Sequence, residues 1–479
     1  MSTLFFSDLM QTIAERGRAV LAHVWTSASL PAPDLAPLCE NLMSSKGEAS
    51  GAVLAREILD RYAALDSAAR GRFLDLLAAQ FGPDPAVIDR AIHAYRAVVD
   101  DLTLSALHRA TQSQRLELLQ RLNAAPGGTF ALVRLREDVF AHLGRNPRLA
   151  VVDEDFEQLF SAWFNRGFLV LRPIDWTTPA NILEKIIRYE AVHAIDSWED
   201  LRLRLAPPDR RCFAFFHPQM VDEPLIFVEV ALTTEIPDAI DSLLTETRDI
   251  TEPTAATTAV FYSISNCQPG LRGISFGSFL IKQVAEELRR QLPGLTRFVT
   301  LSPVPGFAAW LTHERATPAS SFLSDATRDT LEILDAPGWH EDHEQAERLR
   351  APLLALAAGY FLTARSASGK MIDPVARFHL GNGARLERLN WLADPSPKGL
   401  AQAHGLMVNY LYDLDSIEEN HEAFSDHGVI AVAAQLRAVQ RSAGHDARAM
   451  GRVTPWPQAL VLALRDRSRP VAVARPSSP

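Results

Sequence analysis

Residues 261–310, FYSISNCQPGLRGISFGSFLIKQVAEELRRQLPGLTRFVTLSPVPGFAAW, constrain this chain more than any other segment. An apolar run meets a glycine-rich turn. An amphipathic segment follows with Leu280, Val284, Leu288 and Leu292 on one face, and then a second apolar run ends at Ser302. Strand, tight loop, helix and strand account for that order. The N–H groups at the start of such a helix have no intrahelical partner and carry partial positive charge, which suits a phosphate. Gly270, Gly273 and Gly277 let backbone approach a ligand closely. Because the Ser302 hydroxyl closes the next strand, chemistry beside a bound phosphate ester is the first expectation.

At 479 residues the chain is too long for one core, and two or three domains are expected. Residues 50–145 follow helical periodicity broken by Gly and Pro, without strand alternation. Asp84-Pro85 supplies a cap and a first-turn proline for a helix expected to bury Val87, Ile88, Ala91, Ile92 and Tyr95. Further helices are expected over 105–124 and 130–143. Residues 1–152 therefore read as an all-helical domain for packing or oligomerisation. From 153 to 464, β-branched and aromatic runs at 211–217, 225–232, 259–265, 297–302 and 405–412 read as strands. Helices alternate with them, and a helical stretch at 320–365 interrupts them, giving an α+β or α/β domain around a central mixed sheet. Residues 465–479, rich in Pro, Arg and Ser, read as a flexible tail.

A formal charge of -10 argues against a nucleic-acid partner, which demands clustered Lys and Arg. Cys39, Cys212 and Cys267 form no CxxC pair, so neither a disulfide framework nor a zinc site is expected, and a reducing compartment fits. The first residues lack the pattern of a secretory or transit signal. The longest apolar run, near 353–362, is about half of a membrane span. A cytoplasmic protein without membrane partners is expected. The run Trp339-His340-Glu341-Asp342-His343-Glu344 lacks the i, i+4 histidine spacing of a helical zinc site and reads as a solvated acidic turn, so no metal is expected.

In the glycine loop, Arg272, Ser275 and Gly277 occupy the signature positions of the Q/R-x-x-G-x-G/A loop by which GNAT acetyltransferases hold the pyrophosphate of coenzyme A. Ser275 stands where the first glycine is usual. Around it, the strings RRCFAFFHP, EPLIFVEVAL, FYSISNCQPGLRGISFGSFLIKQV, TLSPVPGFAAWL, DPVARFHLGNGARLERLNWLAD and GLMVNYLYD, in this order, resemble the malonyl-CoA decarboxylase family. The resemblance implies a helical N-terminal domain joined to a GNAT-like catalytic domain. It implies conversion of malonyl-CoA to acetyl-CoA and carbon dioxide with no metal, biotin or other cofactor beyond the coenzyme A of the substrate, and a homo-oligomer, a tetramer by the family's pattern. It places the catalytic serine on Ser302, the catalytic histidine on His379 and an active-site tyrosine on Tyr412. Gln268, Gly270, Arg272, Gly273, Ser275, Gly277 and Ser278 become the coenzyme A loop. Two positions depart from the pattern. Ser275 stands where animal members carry a glutamate, and the chain ends Pro-Ser-Ser-Pro rather than in a peroxisomal signal.

These residue types suit the reaction. Loss of carbon dioxide sends an electron pair into the thioester carbonyl, and donors aimed at that charge in a poorly solvated site lower the barrier. The α-carbon then needs a proton, and imidazole, with an unperturbed pKa of ~6.5, is the expected acid/base. Ser302 either donates to the thioester oxygen or relays a proton. An acyl-enzyme at Ser302 is disfavoured, because decarboxylation needs no acyl transfer to the protein. Asn382 is a candidate supporting or substrate-orienting donor, His217 and His404 could approach the cleft, and Cys267 lies beside the loop. Two other functions compete: a GNAT-type acyl-CoA acyltransferase and a non-catalytic acyl-CoA sensor.

Overall fold

The computed structural model describes residues 35–44, 47–276, 280–366 and 369–442. Gly277, Ser278 and the expected tail at 465–479 lie outside the described residues. Among those described, one compact unit runs to Val170 and takes in Phe216–Leu225 and Gln268–Phe276. The other comprises Leu171–Phe215, Ile226–Cys267 and the described residues from 280 onward.

The first unit is built of helices. Glu48–Ala63, Ser67–Gln80, Gln114–Asn123, Gly128–Leu143 and Ala150–Trp163 enclose a core of Leu74, Leu118, Leu122, Leu132, Val139, Phe156 and Phe160. Side-chain caps start several of them: Asp66 accepts from the Ala69 N–H, and Ser113 from the Leu116 N–H. That Ser113 cap divides the single helix expected over 105–124 into Asp101–Thr111 and Gln114–Asn123. The Ala150–Trp163 helix runs across residue 152. Its continuity, and the unit's extension to Val170, show helical packing past that point.

One expected burial fails. Pro85–Ala97 forms, with Asp84 capping the Ala86 N–H, yet it contains no buried residue, and Val87 is 37% exposed. It packs with Asp101–Thr111, whose single buried residue is Ala110. An apolar stripe states that a helix wants cover. It does not state which part of the chain supplies it.

In the second unit, eight strands among the described residues form one mixed sheet, ordered β1-β2-β3-β4-β5-β8-β6, with β7 on β8. They are β1 Val170–Ile174, β2 Arg210–Phe216, β3 Pro224–Thr233, β4 Thr258–Asn266, β5 Arg297–Thr300, β6 Ser302–Pro303, β7 Arg385–Asn390 and β8 Met407–Leu411. The five expected strand regions are present. β1 and the charged β7, RLERLN, are additions. Strand β3 pairs antiparallel with β4, opposing Glu229 to Ser263 and Val230 to Phe261, so that Tyr262 bulges. β4 and β5 run parallel from Thr258↔Arg297 to Phe261↔Thr300, which requires a crossover connection between them. The crossover helix, Leu280–Gln291, buries Leu280, Ile281, Val284, Ala285 and Leu288. At about 1.5–3 kcal/mol for each large side chain, that stripe fixes the crossover firmly.

Beyond Thr300 the chain leaves β4. Ser302 pairs with Val408 and Pro303 with Met407, both antiparallel. Further along the chain, Pro374–Gly381 ends in Asn382 and Gly383, and the reversal feeds β7, which pairs with β8. Gly383 adopts φ +81°, and a Cβ there would lie 1.9 Å from the Ile417 carbonyl oxygen. Gly383→Ala is therefore expected to destabilise the protein by more than about 2 kcal/mol, from left-handed strain plus the clash. Thermal denaturation measures it, and an unchanged melting temperature contradicts the geometry.

Candidate active site

Ser302 sits where the parallel β4–β5 ladder ends and the antiparallel pairing to β8 continues. Leu301 still donates its N–H to the Phe261 carbonyl at 3.0 Å, while Ser302 already belongs to the β6–β8 ladder. Pro303 contributes no N–H and leads into the Phe307–Ala316 helix. At Gly306 an added Cβ would meet the Tyr360 hydroxyl at 2.5 Å, so only glycine permits this approach.

His379 arrives from a segment 77 positions away. The Pro374–Gly381 helix has Pro374 in its first turn, and Asp373 caps it by accepting from the Ala376 N–H at 2.8 Å. The Tyr360 hydroxyl donates to the other Asp373 oxygen at 3.2 Å. Burial raises the Asp373 carboxyl to about 6, and the backbone N–H groups of the cap and the Tyr360 hydroxyl pull the other way. At the helix end the Ala384 N–H donates to the His379 carbonyl at 3.0 Å. Both ends of the helix are thus tied, and the imidazole ring stacks on Tyr410 with centroids 4.5 Å apart and an interplanar angle of 24°.

The three expected residues meet. Ser302 Oγ lies 3.2 Å from His379 Nε2, and His379 Nδ1 lies 2.8 Å from the Tyr412 hydroxyl. Ser302 also donates to Thr300 Oγ1 at 2.8 Å, which in turn accepts the Tyr410 N–H at 3.2 Å. Tyr412 is held by its own N–H, which donates to the Phe298 carbonyl at 2.8 Å, and by edge-on packing against Phe261. All of these side chains are buried; Thr300 is 0% exposed and His379 3%.

Burial changes the expected chemistry. It pushes the His379 imidazole down to about 3, far from the ~6.5 expected of a free side chain, because removal from water penalises the charged form. The Tyr412 phenol is pushed up for the same reason. Hydroxyl, imidazole and phenol are consequently all neutral near pH 7, a chain that can pass a proton along without any member carrying a lasting positive charge.

The loop residues sit elsewhere in the chain's organisation, within the helical unit. Gln268 points inward, its Nε2 donating to the Pro224 carbonyl at 2.9 Å. Gly270 is buried, and a Cβ there would meet the Val133 carbonyl oxygen at 2.0 Å. The fully buried Arg136 donates to the Gly270 and Arg272 carbonyls at 3.1 and 3.2 Å and pairs with Asp153 at 2.7 Å. Those two loop positions therefore have packing reasons of their own. Arg272, Gly273 and Ser275 are exposed, with the Arg272 guanidinium 4.3 Å from the Phe140 ring centroid.

Other expected candidates do not join the triad. His217 lies in the helical unit, its Nε2 3.1 Å from the Trp163 carbonyl oxygen. His404 takes a left-handed conformation at a helix end and packs on Phe307 and Trp339, with burial pushing it to about 4. Cys267 is buried. Asp342, in the acidic run, caps the His343–Leu362 helix. Asn382 does sit beside His379, its amide donating to the Phe378 carbonyl while its oxygen is buried without a partner. Sequence reading missed Thr300 and Tyr410. The i, i+2 spacing of Thr300 and Ser302, which sends alternate strand residues to one face, was the available signal for the first.

A helical unit and a unit built on a mixed sheet agree with the fold class expected from the sequence. Residues 81–164 match a family model described as the malonyl-CoA decarboxylase N-terminal domain, and residues 167–450 match that of the C-terminal domain. The mitochondrial malonyl-CoA decarboxylase of Anser anser anser is 34% identical over 446 residues, covering 86% of this chain and 87% of that protein. That of Rattus norvegicus is 33% identical over 403 residues, 78% of this chain and 82% of the relative. Among solved structures, malonyl-CoA decarboxylase from Rhodopseudomonas palustris superposes with a TM-score of 0.83 at 58% identity, and that from Agrobacterium vitis with 0.81 at 59%. Each match covers 85% of this chain and 100% of the other. The chain belongs to the malonyl-CoA decarboxylase family.

The neutral imidazole is directly measurable. In protein labelled with 15N at histidine, assigned by comparison with His379→Asn, His379 is expected to show no titration between pH 5 and 8. A transition within a unit of 6.5 contradicts the burial argument.

Proposed function

We propose that this chain decarboxylates malonyl-CoA to acetyl-CoA and carbon dioxide, with Ser302, His379 and Tyr412 managing the proton. The observation that carries the reading is the unbroken contact from Ser302 Oγ through both His379 nitrogens to the Tyr412 hydroxyl, in a chain whose family is established. The bond between the carboxylate carbon and the α-carbon breaks, and its electron pair moves into the thioester carbonyl as an enolate. Ser302 donates first a hydrogen bond to that oxygen and then its proton to the α-carbon. His379 replaces it from Nε2 while taking the Tyr412 proton on Nδ1, water reprotonates the phenolate, and after product release exchange with water returns the ring proton from Nδ1 to Nε2 before the next turnover. One solvent proton is consumed per turnover. A buried neutral imidazole suits this task, since it accepts at one nitrogen as it gives at the other. The water-poor surroundings strengthen each donor's effect on the enolate.

The exposed loop residues Arg272, Gly273 and Ser275, together with Gly277 and Ser278, are our candidates for holding the coenzyme A phosphates. Gln268 and Gly270 shape the loop from within. No group beyond the substrate's own coenzyme A enters the scheme. We also place the protein in the cytoplasm, in keeping with a chain whose three cysteines form no CxxC pair. Among the described residues, no helix is long and apolar enough to cross a membrane. Self-association, as a tetramer, would cover Val98, Val99, Leu102 and Leu104, all exposed on or beside the Asp101–Thr111 helix.

Purified protein given malonyl-CoA without an amine is expected to release acetyl-CoA and carbon dioxide in equal amounts. An absolute need for an amine acceptor would point to acyl transfer, and binding without turnover to a sensor. Ser302→Ala and His379→Asn should each lower kcat by about 100-fold or more, with Tyr412→Phe intermediate, while KM changes little. Near-parental turnover in Ser302→Ala would sink the relay.

A further inference from the structure

A serine hydroxyl beside an imidazole can be polarised in two senses, and they lead to different chemistry. If Ser302 donates to a bare His379 Nε2, the imidazole is a base and the serine a nascent nucleophile. If His379 donates from Nε2, the serine is loaded to deliver a proton. The Ser302–His379 distance alone is compatible with both.

We propose that Thr300 is a positioning residue that fixes the second sense. The inference rests on the relay described above and deepens it. Thr300 Oγ1 has two acceptor sites, and both are taken: one by the Tyr410 N–H at 3.2 Å, the other by the Ser302 hydroxyl at 2.8 Å. The first anchor is backbone, donated from within β8, so the acceptor cannot swing away from Ser302 without breaking a buried ladder-edge hydrogen bond. Ser302 has a single proton. With it directed at Thr300, the contact to His379 at 3.2 Å must be donated by the ring, which places the ring proton on Nε2. A neutral imidazole protonated there has a bare Nδ1, and the Tyr412 hydroxyl at 2.8 Å donates into it. Thr300, touching neither imidazole nor phenol, thereby orients all three groups as Tyr412 to His379 to Ser302. Rotation about one Cβ–Oγ bond then turns the serine proton from Thr300 to the substrate. Without the Thr300 acceptor, the nearest alternative for that proton is His379 Nε2, which reverses the chain.

The test compares Thr300→Val, isosteric but unable to accept, with Thr300→Ser, which restores the hydroxyl. Thr300→Val is expected to lower kcat about 10-fold to 100-fold with KM for malonyl-CoA within about twofold, and Thr300→Ser to remain within about threefold of the parent. The 15N spectrum of His379 should show Nε2 protonated in the parent and in Thr300→Ser, and a shift toward Nδ1 protonation in Thr300→Val. Loss of packing alone would not move a tautomer. Parental kcat in Thr300→Val, or a parent enzyme protonated at Nδ1, overturns the proposal, and the second measurement needs no variant to fold. Ser302→Ala is assayed alongside. If it too keeps parental kcat, the relay itself falls; if it is impaired while Thr300→Val is not, only the role of Thr300 is lost.

Discussion

The contact between Ser302 Oγ and His379 Nε2 depends on strand β8. β5 lies between β4 and β8, and where the parallel ladder to β4 ends the chain keeps β8 as its antiparallel partner through Ser302 and Pro303. β8 thereby holds Ser302 in place, stacks Tyr410 on the His379 ring and leads into Tyr412 at the far ring nitrogen. The geometry of the site is thus a property of strand pairing as much as of the side chains.

Holding that geometry takes support from two directions. The Pro374–Gly381 helix is fixed at its start by the Asp373 cap and Tyr360, and at its end by hydrogen bonds that return to the His379 carbonyl. Gly306 and Gly383 allow two close approaches that no other residue could, one beside the Tyr360 hydroxyl and one against the Ile417 carbonyl. The same dense packing sets the protonation states. Removing His379 and Tyr412 from water without giving either an ionic partner favours their neutral forms, and an imidazole that stays neutral near pH 7 acts by exchanging protons rather than by bearing charge.

Much of this was readable in the chain. The strand, loop, helix and strand order of residues 261–310 is periodicity plus turn chemistry, and both act locally. Caps such as Asp84, Ser113 and Asp373 mark helix starts for the same reason. The harder cases are instructive. Arg385–Asn390 pairs as a strand despite its charges, because β8 provides the ladder. Pro85–Ala97 has an apolar stripe that is only partly covered, by Asp101–Thr111, because a stripe encodes demand and not supply. Gln268 and Gly270 look like ligand-loop residues in sequence, yet the structure gives them interior roles through Pro224, Arg136 and Val133.

The amino-acid order determined which residues could do chemistry: a serine ending a strand before a rigid proline turn, a histidine near a capped helix's end, a tyrosine closing an aromatic strand. It also determined the helices and most strands, since those follow from local periodicity. Only the tertiary structure decided that Ser302, His379 and Tyr412 share one hydrogen-bonded chain, that the imidazole is too deeply buried to hold a second proton near pH 7, and that the Ser302 hydroxyl donates to Thr300. Those outcomes depend on which strand and helix ends meet across 77 and 33 positions of sequence, and on the water excluded when they do. Neither the pairing nor the exclusion is written in any local run of residues.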